Sequence, residues 1–154
     1  MRKQVGSALR QHVNEDWIDI DETATVEVSS EDPAFPVEAA LIPGASQGWR
    51  AAQPGTQSIR LIFDEPQRLK RVEVAFDEHK TPRTQEFVLR WSPDRSGSFR
   101  EIVRQQWNFS PPHTTREVET YNLDLPNVAV LELVITPDKS GGNSHASLAS
   151  LRVA

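Results

Sequence analysis

Ile59, Leu61 and Phe63 alternate with Ser58, Arg60 and Ile62, and a chain patterned this way must fold as an extended strand with one face in a core. The two-residue period recurs down the sequence. Val26 and Val28 carry it within 23–29, Val72, Val74 and Phe76 within 68–76, and Phe87, Leu89 and Trp91 within 86–91. In 99–109, Val103, Gln105, Trp107 and Phe109 share one face, and in 117–125 Tyr121, Leu123 and Leu125 are in phase. Residues 128–135 are apolar along most of their length, which marks a strand covered on both faces. Leu148, Leu151 and Val153 close the chain.

Turn residues punctuate these runs. Pro54-Gly55, Ser92-Pro93-Asp94-Arg95-Ser96-Gly97 and Thr136-Pro137-Asp138-Lys139-Ser140-Gly141-Gly142-Asn143 separate neighbouring strands. Asp64-Glu65-Pro66 is expected to end the strand that starts near Gln57. One helical turn fits 37–42, stopped by Pro43-Gly44. The spacing predicts an all-β jelly-roll sandwich of about eight antiparallel strands over 23–154. Trp49 reads either as a core aromatic or as a plug at one end of that sandwich. Residues 1–22 read as an N-terminal appendage. Val5, Leu9, His12 and Val13 fall near one helical face there, and an acidic run from Glu15 to Glu22 follows.

The totals exclude several classes. A chain of 154 residues supports a single domain with a sizeable core. With no cysteine it can form no thiolate metal site, disulfide or cysteine nucleophile. A formal net charge of -5 argues against generic nucleic-acid binding. No run reaches membrane-spanning length and the N-terminus carries no signal-peptide core, so a cytoplasmic protein is expected. Catalytic patterns are missing too. His12, His79, His113 and His145 share no helical ligand spacing, there is no Gly-x-Ser-x-Gly elbow, and Ser140-Gly141-Gly142-Asn143 opens no helix. No enzyme is expected.

In their order along the chain, several pieces resemble the discoidin, or coagulation factor 5/8 type C, family of galactose-binding-like domains. They are Gly48-Trp49 before Ile59-Arg60-Leu61-Ile62-Phe63, then Val72-Glu73-Val74-Ala75-Phe76, Arg83-Thr84-Gln85-Glu86-Phe87-Val88-Leu89, Ser92-Pro93-Asp94, Phe99-Arg100-Glu101-Ile102 and Ala146-Ser147-Leu148-Ala149-Ser150-Leu151-Arg152-Val153. The resemblance implies a jelly-roll sandwich that binds carbohydrate, lipid or protein through loops at one end, in a family that is mostly non-catalytic. It also implies a structural calcium in many members. This sequence has Pro43-Gly44 and Ser150 where the family's acidic ligands stand, so neither calcium nor any other cofactor is expected. A shorter stretch, Trp49-Arg50-Ala51-Ala52-Gln53-Pro54-Gly55, is similar to the N-terminal domain of the X-ray repair scaffold protein, which shares the fold and binds proteins and damaged DNA.

A sugar site needs an aromatic face for the C–H side of the ring and planar donors for its hydroxyls. His79, Lys80 and Arg83 lie in one expected loop, and Asn143 and His145 in another. Trp107, Asn108 and His113 surround a third, with Phe109 beside them. Each has a structural reading as well: an ion pair for Arg83, a satisfied hydrogen bond for His145, core packing for Trp107 and Phe109, a turn for Asn143. The expected function is a carbohydrate-binding module, the alternative a protein–protein interaction module. Sequence reasoning leaves the sugar and the oligomeric state open.

Overall fold

A computed structural model of the chain describes residues 17–44 and 47–154. The expected helical face at Val5, Leu9, His12 and Val13 lies outside them. Among the described residues, two short helices, α1 (Ile20–Thr23) and α2 (Glu38–Leu41), accompany eight strands: β1 (Ala24–Val28), β2 (Trp49–Pro54), β3 (Gln57–Asp77), β4 (Arg83–Ser92), β5 (Arg100–Phe109), β6 (Arg116–Thr136), β7 (His145–Leu148) and β8 (Ser150–Val153). The architecture is the expected all-β sandwich. No helix among the described residues is long and apolar enough to cross a membrane.

Two strands differ from the expectation in length. Asp64-Glu65-Pro66 does not end a strand. β3 runs through it for 21 residues, and β6 likewise fuses the segments expected at 117–125 and 128–135 into one strand of 21 residues. The two pair antiparallel from Gln57↔Ile135 to Asp77↔Arg116, with register irregularities between Ile62 and Arg71. The prolines act as bends rather than stops. Proline removes one ladder donor, and an irregular register needs no donor there.

The neighbours change at the bend. The first half of β3 pairs with β1, and the second half of β6 pairs with β4, which pairs in turn with β5. The second half of β3 pairs instead with β8. Each long strand therefore serves both layers, the way sandwiches turn corners. Phe87 on β4 meets Phe76 on β3 at 5.2 Å and Tyr121 on β6 at 6.4 Å between ring centroids, so the two layers pack face to face. Ile59, Leu61, Phe63, Val72, Val74, Leu89, Leu131, Leu133 and Ile135 fill the space between them. Each such side chain contributes roughly 1.5–3 kcal/mol by leaving water.

Residues 49–54, which the sequence did not mark as a strand, form β2, which pairs with β7 through Trp49↔Leu148 and Arg50↔Ser147. Trp49 is a core residue, 1% exposed, and its indole Nε1 donates to the Ser30 carbonyl at 3.0 Å. Gly48 sets the approach of β2 to β7. Its φ is +73°, and a Cβ there would run into the Leu148 carbonyl oxygen. Gly44 also has positive φ (+89°) but faces open space. In urea unfolding, Gly48→Ala is expected to lose about 2–3 kcal/mol and Gly44→Ala about 1 kcal/mol, because only the first adds a backbone collision to the strained φ. Equal losses would contradict this account of the β2–β7 approach.

Candidate functional site

Both ends of β3 and both ends of β6 lie at one end of the sandwich, because the two strands fold back on themselves as a pair. The loops 78–82, 110–115 and 137–144 therefore gather there. Backbone hydrogen bonds join them: Glu78 N–H donates to the Thr115 carbonyl at 2.8 Å, and Lys139 N–H to the Thr84 carbonyl at 2.7 Å.

Arg83 pins this cluster from beneath. It was expected in a loop, but it is the first residue of β4 and only 5% exposed. Its Nε donates to Glu78 at 2.6 Å, and its Nη1 donates to the Pro137 carbonyl at 2.7 Å and to Gln85 Oε1 at 3.1 Å. Its guanidinium stands 4.8 Å from the centre of the Phe109 ring. One side chain thus ties together the 78–82 loop, the 137–144 loop and the end of β5. Glu78 also accepts from the amides of Lys80 and Thr81, at 3.0 Å and 3.3 Å. Burial pushes the Glu78 carboxyl up, but the Arg83 hydrogen bond and the two amides outweigh it and hold it below the usual glutamate range.

Above this pin lies an open cleft of ≈ 420 Å³, lined by Arg50, Asp77, Glu78, Lys80 and Thr81 on one side and Asn143, Ser144, His145 and Ser147 on the other. A second cleft of ≈ 210 Å³ shares Arg50, Asp77, Glu78, Lys80 and Ser147 with it and adds Phe35 and His79. Strand alternation explains one wall. On β7, Ala146 and Leu148 point into the core, so His145 and Ser147 face outward, beside Arg50 of β2. His145 Nδ1 is 3.0 Å from the Ala51 carbonyl. A carbonyl only accepts, so Nδ1 carries a hydrogen, and in the neutral ring Nε2 is left as an acceptor.

Of the residues singled out from sequence, the structure brings His79, Asn143 and His145 together at these clefts. The others lie elsewhere. Arg83 has its donors spent inside the protein. Trp107 is half-buried on the inward face of β5, opposite Gln85, and Asn108 on the outer face accepts from the Thr84 hydroxyl at 2.7 Å. His113 is exposed in the 110–115 loop and lines neither cleft. Sequence reasoning missed Arg50, Ser144, Ser147 and Phe35. Reading 49–54 as a strand would have found Arg50, since it alternates with buried Trp49 and Ala51.

A polar group also lies between the layers below the site. Gln85 on β4 donates weakly to Glu117 on β6 at 3.4 Å, and Glu117 is 1% exposed. Among the described residues, Glu117 Oε2, the Tyr121 hydroxyl and Trp107 Nε1 are buried without a hydrogen-bond partner. Burial, together with the Glu119 carboxylate, pushes Glu117 from its ordinary 4.5 up to about 8. A structural calcium does not fit the positions where the family resemblance would put one. Pro43, Gly44 and Ser150 do meet in one depression, but with Arg152 in its lining and no carboxylate. Among the described residues no group of three His, Asp or Glu is placed to hold a metal ion.

Solved structures match this architecture. The family 32 carbohydrate-binding module of Clostridium perfringens NanJ, solved with galactose, matches with a TM-score of 0.64 at 18% identity, over 90% of this chain and 97% of that one. The fold is galactose-binding-like. A second Clostridium perfringens module of this type, in complex with GalNAc-β-1,3-galactose, matches with a TM-score of 0.66 at 18% identity, over 89% and 98% of the two chains. The corresponding module of AlyQ, in complex with 4,5-unsaturated mannuronic acid, matches with a TM-score of 0.63 at 17% identity, over 86% and 95%. No protein-family model and no curated protein sequence matches this chain.

Two outcomes follow for this galactose-binding-like sandwich. Arg83→Ala is expected to cost about 3 kcal/mol in denaturant unfolding, because it strands Glu78 and the Pro137 carbonyl. A loss near zero would mean that Arg83 does not tie the loops. Glu117 binds a proton in the folded state that the unfolded chain releases, so between pH 4.5 and about 8 stability falls as pH rises. Glu117→Gln is expected to flatten that slope in unfolding curves recorded across the window. An unchanged slope would place the cause elsewhere.

Proposed function

We propose that this chain is a non-catalytic carbohydrate-binding module that takes a saccharide in the loop-end cleft between the 78–82 loop and the β7 edge. The observation that carries the reading is the lining itself. His145, Asn143, Ser144, Ser147 and Arg50 present donors and acceptors around an open depression, with the half-exposed ring of Phe35 in the adjoining cleft. That is the chemistry a sugar hydroxyl array needs. The three solved structures described above, which carry galactose, an amino sugar disaccharide and a uronic acid, share the fold and support the same class.

Two contrasts favour this over the other classes. An enzyme would place its shifted titratable groups in the cleft. Here the raised groups, Glu117 and Tyr121, lie between the layers, and the shifted group in the cleft, Glu78, is lowered by its hydrogen bonds to Arg83 and two amides and serves to hold the loop. A protein-docking face would expose a contiguous apolar patch. Among the described residues, the exposed large hydrophobics are Ile42 and Val118, on unrelated parts of the chain. An open cleft orders few groups and excludes little water, so the affinity is expected to be weak, about micromolar to millimolar.

A glycan-array screen of the purified chain, with calcium and again with chelator, tests the reading. A reproducible hit unaffected by chelator is expected, weakened about tenfold in His145→Ala and in Asn143→Ala. Both variants should keep the parent melting temperature within a few degrees. A blank array at high protein concentration would overturn the proposal.

A further inference from the structure

Arg50 and Lys80 are exposed, line both clefts, and make no side-chain hydrogen bond or ion pair among the described residues. Most of the other cations among the described residues meet a carboxylate: Arg60 and Arg90 share Glu132, Arg104 meets Glu86 and Glu101, and Arg152 meets Glu73.

The carboxylates in the same cleft do not balance these two cations. Asp77 accepts from Arg116 Nη1 at 2.8 Å, and Glu78 accepts from Arg83 at 2.6 Å. Each acidic side chain already has its own arginine, so the lining is left with two uncompensated positive charges. They sit on a chain whose formal net charge is -5. A positive cleft on an acidic protein attracts anions locally while the remaining surface repels them.

Both cations are also held at their base. The Arg50 amide donates to the Phe35 carbonyl at 3.1 Å, and the Arg50 carbonyl accepts from Asp32 N–H at 2.8 Å. Lys80 is anchored through its amide on Glu78 at 3.0 Å. Backbone ordering is therefore complete before a ligand arrives, and only the side-chain ends remain to be fixed. A guanidinium presents paired donors that match a carboxylate, and the ammonium adds a compact charge beside it.

We infer that the saccharide taken by this cleft is anionic, a uronic acid whose carboxylate sits between Arg50 and Lys80 while His145, Asn143 and Ser147 hold ring hydroxyls. The inference rests on the carbohydrate-binding reading above. It narrows that reading from sugars in general to those carrying a carboxylate.

The test uses sugars that differ only at C6: D-galacturonate against D-galactose, and D-glucuronate against D-glucose. Each is titrated into the full chain, labelled with nitrogen-15, up to about 0.1 M, well above the millimolar upper end of the expected range. The acid of at least one pair should bind about tenfold more tightly than its neutral partner at low salt, and the ratio should shrink in about 1 M salt. Arg50→Gln and Lys80→Gln should each lower the acid-to-neutral ratio. Arg68→Gln, at the far corner and ion-paired with Asp124, should leave it unchanged. Equal or stronger binding of the neutral sugars overturns the anionic inference while the carbohydrate reading stands. If none of the four sugars perturbs the spectrum, the anionic inference is overturned, and a glycan-array hit on another saccharide would leave the carbohydrate reading standing. An acid preference untouched by both cleft substitutions also overturns the inference, since it would place the anion elsewhere.

Discussion

Everything in this molecule depends on one pairing, that of β3 with β6. Two strands of 21 residues stay hydrogen-bonded while they turn from one layer of the sandwich to the other. The bend at Pro66 brings the inward faces of the two halves together. Phe76 and Tyr121 can then meet Phe87, and the apolar alternation of both segments feeds one core. The same bend returns all four strand ends to one place. The loops that build the cleft are neighbours for that reason, although 78–82 and 137–144 are far apart in sequence.

Given that arrangement, local chemistry decides what the loop end does. Arg83 holds the loops in position and is used up in doing so, because its donors go to Glu78, Gln85 and the Pro137 carbonyl. The residues left free for a ligand lie one layer further out. Arg50 and His145 are there because β2 and β7 pair with Trp49, Ala146 and Leu148 turned inward. Burying Trp49 and exposing Arg50 are consequences of the same two-residue period.

This explains how much could be read from the sequence. Alternation is a local property, so the strands, the all-β class and the inward face of β5 were legible in residues such as Ile59, Val72, Phe87 and Phe109. Strand continuity was not. Asp64-Glu65-Pro66 carries every mark of a terminator, and only the partner strand shows that the ladder resumes beyond it. The candidate cleft was half legible. His79, Asn143 and His145 stood out as polar residues in turn-rich stretches and do converge. Arg83 has the same side-chain chemistry as Arg50, and what separates them is burial, a tertiary property. Glu117 did carry a signal, since it falls in phase with Tyr121, Leu123 and Leu125, but a charged residue at the start of a strand reads more readily as an exposed end than as one caught between two layers.

We propose that this galactose-binding-like sandwich takes a saccharide in the cleft between the 78–82 loop and the β7 edge. The most direct measurement is a backbone amide chemical-shift map of the labelled chain, recorded with whichever saccharide binds best. The account predicts perturbations concentrated at Arg50, Lys80, Thr81, Ser144, His145 and Ser147. Perturbations centred instead on Trp107, Asn108 and His113 of β5 and its following loop, with the cleft amides unmoved, would contradict it.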